Sequence, residues 1–154
     1  SNENFARNLV KGKIAETIFA QMLRETGKFT VLEFGYEKLI PELVMAGNVV
    51  DETIEIIRRA PDFAVINKET KEVKLIEVKY KRRLNKEFVL KDAKRMMEAW
   101  NPSFLFIVTH YGFYFDDIRV IVENGGEIRK LNHPFISDEV QDRYLQILKD
   151  FEEK

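Results

Sequence analysis

A chain of 154 residues, 45% hydrophobic and 33% charged, has the size and balance of one globular domain, residues 1–154, with a core large enough to need no staples. It contains no cysteine, which excludes disulfides and thiolate chemistry, and no apolar run long enough to span a membrane. A net charge of -1 excludes a uniformly basic surface, so an anionic partner has to be met by a local concentration of positive charge. No signal peptide, internal repeat or low-complexity linker is recognisable, and a cytoplasmic protein is the default expectation.

Residues 5–26 read as one amphipathic helix, with Ile14, Ala15, Ile18, Phe19 and Met22 at the spacing of an apolar stripe and Gly27 placed to end it. Gly12, Glu16, Phe19 and Leu23 lie close to one line, so Glu16 flanks the stripe. It either reaches a sheet or pairs on the surface with Lys13 or Lys11. Residues 29–36 read as a first strand, and residues 38–59 are expected to be helical, interrupted by Pro41. Residues 60–67 and 72–80 are rich in β-branched and aromatic side chains and read as two strands joined by a hairpin loop. Residues 87–100 form the next predicted helix, with Leu90, Ala93, Met97 and Trp100 on one side and Lys91, Lys94, Arg95 and Glu98 on the other. Asn101 and Pro102 stop it. Residues 104–109 are a continuous apolar run and read as a buried strand. Residues 118–123 read as another, ending at the turn Asn124, Gly125, Gly126, and Asp116 and Asp117 as the turn before it. A last helix is predicted at about residues 137–152, capped by Ser137, with Val140, Tyr144, Ile147, Leu148 and Phe151 facing the core or a second subunit. Helices alternating with strands make the expected class α/β.

The chemistry gathers in the hairpin. Pro61 and Asp62 stand at the start of one strand, and Glu77, Val78 and Lys79 follow at the far end of the other. A hairpin turning about Glu69 and Thr70 sets Asp62 directly across from Glu77, with their β-carbons about 5 Å apart. Alternation puts Asp62, Ala64, Ile66, Val73, Leu75, Glu77 and Lys79 on one face and Phe63, Val65, Ile76 and Val78 on the other. Both faces are largely apolar, the pattern of strands covered on two sides, and buried ionised groups need compensation. A divalent cation held by two converging carboxylates is one such compensation, and a buried salt bridge of Asp62, Glu77 and Lys79 is the other. Spacing alone leaves both open.

Pro61-Asp62 followed by Glu77-Val78-Lys79, with an upstream helix carrying Gly12, Lys13, Ile14, Ala15 and Glu16, resembles the PD-(D/E)XK nuclease superfamily, which includes restriction enzymes and Holliday junction resolvases. The resemblance covers residues 7–111. It implies a restriction endonuclease-like core, a central mixed β-sheet flanked by helices in the order αβββαβ, and hydrolysis of phosphodiester bonds in DNA with Mg2+ or Mn2+. It assigns Asp62, Glu77 and the Val78 backbone carbonyl to the metal, Lys79 to catalysis and Glu16 to an auxiliary acid.

Charge patterning points the same way. Between Lys68 and Arg95 eleven basic residues face five acidic ones, and the densest run, Lys79, Lys81, Arg82 and Arg83, leaves the motif strand directly. Lys81, Arg82 and Arg83, with Lys91 and Lys94 on the following helix, are therefore the candidate backbone-phosphate contacts. The absence of a separate recognition domain favours a structure-directed or weakly sequence-specific nuclease. The alternative is a catalytically silent nucleic-acid-binding or assembly module of the same fold, and a homodimer is left open. His110 and His133 have no third ligand at metal spacing, and His110 is expected at a strand end. Trp100 and the aromatic cluster of Tyr111, Phe113, Tyr114 and Phe115 belong either to packing or to stacking on bases.

Overall fold

The structure, a computed structural model, describes residues 1–35 and 52–153. In chain order its elements are α1 (Asn2–Glu25), β1 (Phe29–Glu33), α2 (Glu52–Arg58), β2 (Phe63–Asn67), β3 (Val73–Tyr80), α3 (Lys86–Ala99), β4 (Phe104–Thr109), β5 (Gly112–Asp117), α4 (Ile118–Glu123) and α5 (Asp138–Glu152). The class is α/β, as expected. Five strands form one mixed sheet in the order β1-β2-β3-β4-β5, with β3 and β4 parallel and the other neighbours antiparallel. The parallel step needs a crossover, which α3 supplies. The helical expectation for residues 38–59 holds for α2; its earlier part, like the end of the first predicted strand at Tyr36, lies outside the described residues.

Two apolar layers sandwich the sheet. On one side Ala15, Ile18, Phe19 and Met22 of α1 and Leu148 of α5 pack on Phe63, Val65, Ile76, Val78 and Phe106. On the other side Val89, Ala93 and Met96 of α3 and Ile118 and Ile121 of α4 pack on Leu105 and Ile107. Thus β4 is covered on both faces, which is why its sequence is a continuous apolar run, whereas β3 is buried only through Ile76 and Val78 on the α1 side and leaves Leu75, Glu77 and Lys79 half-buried on the other. α1 runs antiparallel to α5, tied by Arg143 to Glu25 at 2.7 Å and by the Tyr144 hydroxyl donating to the Gln21 carbonyl at 3.4 Å.

The hairpin forms in the expected register, with Phe63 opposite Ile76 and Ala64 opposite Leu75. Its turn is closed by the Asn67 side chain, which accepts from the Glu69 and Thr70 N–H groups, and by Lys71 at φ 65°.

Three expectations need correction. Residues 118–123 form a helix, and the fifth strand is Gly112–Asp117, one element earlier. The β-branched run of Ile118, Val120, Ile121 and Val122 carries β propensity, but Asp117 caps the segment by accepting from the Arg119 N–H at 2.8 Å, and the helix buries Ile118 and Ile121 against α3. In turn Phe113 and Phe115 pack beside Phe106, so these two rings belong to packing, while Tyr111 is exposed. The buried side of α3 is Val89, Ala93 and Met96, rotated from the predicted stripe because α4 packs alongside. On α5 the inward residues are Val140, Tyr144, Leu145 and Leu148, while Ile147 and Phe151 are exposed, because α5 lies along α1 and only the side facing it is covered.

If the Asp117 cap decides helix against strand at residues 118–123, Asp117→Ala should lower the stability by about 1–2 kcal/mol in urea unfolding. An unchanged unfolding midpoint would assign the helix to the burial of Ile118 and Ile121 alone.

Candidate active site

The site is a fork in the sheet. β2 and β3 pair from Ile66 opposite Val73 as far as Phe63 opposite Ile76, and there their ladder stops. β3 continues against β4 to Tyr80. Upstream of Phe63 the chain leans the other way: the Asp62 carbonyl accepts from the N–H groups of Phe34 at 2.9 Å and Gly35 at 3.2 Å, beyond the end of β1. The edge of β3 is left without a strand at Val78, and the Asp62 carboxyl takes the Val78 N–H at 2.8 Å. A side chain thus stands where a ladder partner would be, satisfying a backbone donor that burial would otherwise orphan.

This arrangement brings Asp62 against Glu77. Burial, then the hydrogen bond with Glu77, then the Glu77 charge push the Asp62 carboxyl up to about 8; the Val78 N–H and the Lys79 charge oppose them. The direction of the shift favours a protonated carboxyl at Asp62, placed to share a hydrogen bond with Glu77. Two carboxyl groups share a site that rejects a second negative charge unless a cation enters. Hard carboxylate oxygens are the donors that Mg2+ and Mn2+ prefer, so the pair fits such an ion.

Glu16 arrives from the opposite layer. It makes an ion pair with Lys13 at 3.7 Å, one of the two alternatives read from the sequence, and it also lines the cleft that holds Asp62 and Glu77. That cleft, of about 240 Å³, is lined by Leu9, Gly12, Lys13 and Glu16 of α1 and by Asp62, Glu77, Val78 and Lys79. A second cleft of about 570 Å³ shares Glu16, Asp62 and Glu77 and extends past Gln21, Arg24 and Arg58. Among the described residues no group of three His, Asp or Glu side chains is preassembled as a metal cage. Glu16 lines the cleft without completing such a cage.

The basic residues divide into two groups. Arg82 and Arg83 are exposed in the loop leaving β3, while Lys81 is held by Asp92 at 3.2 Å. Lys91 and Lys94 line a separate groove on the outer side of α3, with Arg59 and Arg95. Trp100 is a packing residue: its indole N–H donates to the Ile56 carbonyl at 2.7 Å and its ring meets Phe34 edge-on.

A cluster that sequence reading missed lies beyond the end of β3. Glu152 accepts from the Tyr80 hydroxyl at 2.6 Å and lies 2.7 Å from His110 Nδ1, joining α5 to the strand that carries the motif. Burial pushes the Glu152 carboxyl up, but the bonds to Tyr80 and His110 outweigh it and hold the group below the usual carboxylate range. Residues so far apart in the chain give no local signal. Leu9 and Gly12 were also missed as cleft residues, although a glycine inside a helix was a usable sign.

No protein-family model matches this sequence, and no curated protein matches it.

The shared proton has a measurable consequence. Asp62 has a raised pKa in the fold, so its contribution to stability is complete below about pH 4, falls as the unfolded chain ionises, and is gone above about pH 8. The metal-free protein should lose melting temperature across that window more steeply than Asp62→Asn, whose amide keeps both hydrogen bonds without titrating. Parallel pH profiles for the two proteins would contradict the shared proton.

Proposed function

We propose that this chain is a metal-dependent deoxyribonuclease of the PD-(D/E)XK kind, with a restriction endonuclease-like core, that hydrolyses phosphodiester bonds in a structure-directed or weakly sequence-specific way. One observation carries the reading: Asp62, Glu77 and Lys79 converge on one open cleft at the point where β2 and β3 part. The element order supports it, since a helix, three strands, a crossover helix and a parallel strand follow one another around that point, apart from the added short helix α2. A buried salt bridge would explain the charges, but it would not explain two carboxyl groups brought together on an open cleft that Glu16 and Lys79 also line.

In this reading Asp62 and Glu77, with the Val78 carbonyl, hold a magnesium or manganese ion. When bound, the ion lowers the pKa of a water and neutralises charge growing on the phosphoryl oxygens. Lys79, on the same side of β3 as Glu77, holds the scissile phosphate or orients the attacking water as a hydrogen-bond donor. The water gives up one proton to solvent as its oxygen bonds to phosphorus, the bond to the leaving sugar oxygen breaks, and that oxygen takes up one proton from solvent. Glu16, which lines the same cleft, serves as the auxiliary acid in this reading. Arg82 and Arg83 take flanking phosphates, with Lys81 restrained by Asp92, and Lys91 and Lys94 offer a second, more distant track along α3.

The test is cleavage of labelled linear and branched DNAs with Mg2+, Mn2+ or chelator. Glu77→Ala and Lys79→Ala should each lose roughly 100-fold or more of the wild-type rate. Mg2+ or Mn2+ should also raise the melting temperature of the wild type and leave Asp62→Ala unmoved. Salt-sensitive DNA binding with no cutting by the wild type would replace this reading with the catalytically silent binding module.

A further inference from the structure

We propose that the cleft admits an unpaired DNA strand, which crosses α1 at Gly12 with its bases against Leu9 and Phe5. The inference rests on the nuclease reading and names the substrate class of that same site.

Gly12 is the anomaly that leads to it. It lies inside a helix of 24 residues, where glycine weakens the helix relative to alanine. Nothing in the fold asks for it. Its φ is not positive, and a β-carbon built there meets no atom within 4 Å. Neither a turn nor a close neighbour in the fold explains the glycine. Gly12 lines the cleft with Asp62, Glu77 and Lys79, and its missing side chain leaves the α1 wall of the cleft low above the carboxyl pair.

The rest of the wall identifies the ligand. Phe5, Leu9, Gly12 and Glu16 follow one line along α1, each one turn from the next. Residues 1–10 are all exposed, and on that stretch Phe5 is 67% and Leu9 55% exposed. An apolar ledge therefore leads from the carboxyl pair along the helix. Lys13 and Lys79 line the cleft, and Arg82 and Arg83 stand exposed in the loop leaving β3. A duplex would offer this ledge only sugars and phosphates, leaving Phe5 and Leu9 against hydrated charge. An unpaired strand offers base faces to Phe5 and Leu9 and phosphates to the cations, the combination found in single-strand grooves. The complementarity is thus both apolar and electrostatic, and it selects a flap, a frayed end or a junction arm over intact duplex.

The test is equilibrium binding of a short fluorescein-labelled oligothymidylate and of a blunt duplex, in chelator, with a melting curve for every variant. Wild type should bind the oligothymidylate more tightly than the duplex. Gly12→Leu should melt no lower than wild type, since leucine is the better helix former, yet bind the strand about tenfold more weakly. Phe5→Ala combined with Leu9→Ala should also weaken it about tenfold, one stacked base being worth that much. Three results would overturn the inference: tighter binding of blunt duplex, Gly12→Leu binding the strand as well as wild type, or Phe5 and Leu9 variants that change self-association in sedimentation without changing strand affinity. Binding is read without metal, so the two readings fail separately. Cleavage without these binding shifts removes the strand groove alone, and the binding shifts without cleavage remove the nuclease.

Discussion

Everything at this site depends on one hydrogen bond, from the Val78 N–H to the Asp62 carboxyl. It forms because β2 and β3 separate after Phe63 and Ile76 while β3 still has β4 on its other side. A strand edge inside a covered sheet has to find an acceptor, and the residue after Pro61 provides it. The same bond draws Asp62 out of solvent and against Glu77, so the backbone constraint and the unusual electrostatics have one origin. Removing the acceptor would leave a backbone donor and a glutamate unsatisfied together.

The surrounding architecture keeps that fork from closing. Phe63, Val65, Ile76 and Val78 are clamped by α1 and α5 on one face of the sheet, and Leu105 and Ile107 by α3 and α4 on the other. β3 is held at its far end as well, where Tyr80 and His110 meet Glu152 of α5. The polypeptide between two rigid layers has little freedom to relax the carboxyl pair apart. On the proposed reading this rigidity is useful, because an ion-binding pair must keep its spacing whether or not the ion is present.

How much of this was legible in the sequence depends on the range of the interactions that decide it. The hairpin register was legible because strand periodicity and the turn around Asn67 to Thr70 are local, but the fork that ends the ladder at Phe63 and Ile76 and turns the Asp62 carboxyl onto the Val78 N–H depends on β1 and β4 and was not. Ser137 as the cap of α5 was legible for the same reason. The identity of residues 112–123 was not: β propensity favoured a strand at Ile118, and the Asp117 cap together with the packing of α4 on α3 reverses it. The exposed Ile147 and Phe151 follow from the course of α5 along α1, which no periodicity specifies. Lys81, Arg82, Arg83, Lys91 and Lys94 read as positive charge gathered around one site, yet the fold spreads them over a loop, an ion pair with Asp92 and a separate groove. Charge counts carry sign but not direction.

The central claim is that Asp62 and Glu77 hold a proton in the place of a divalent cation. Titration calorimetry with Mn2+ near pH 7, repeated in two buffers of different ionisation enthalpy, tests it directly, because metal binding to a protonated carboxyl pair must release the proton. The account predicts binding with close to one proton released for each ion, and no binding to Asp62→Ala. Absence of binding, or binding without proton release, would contradict it.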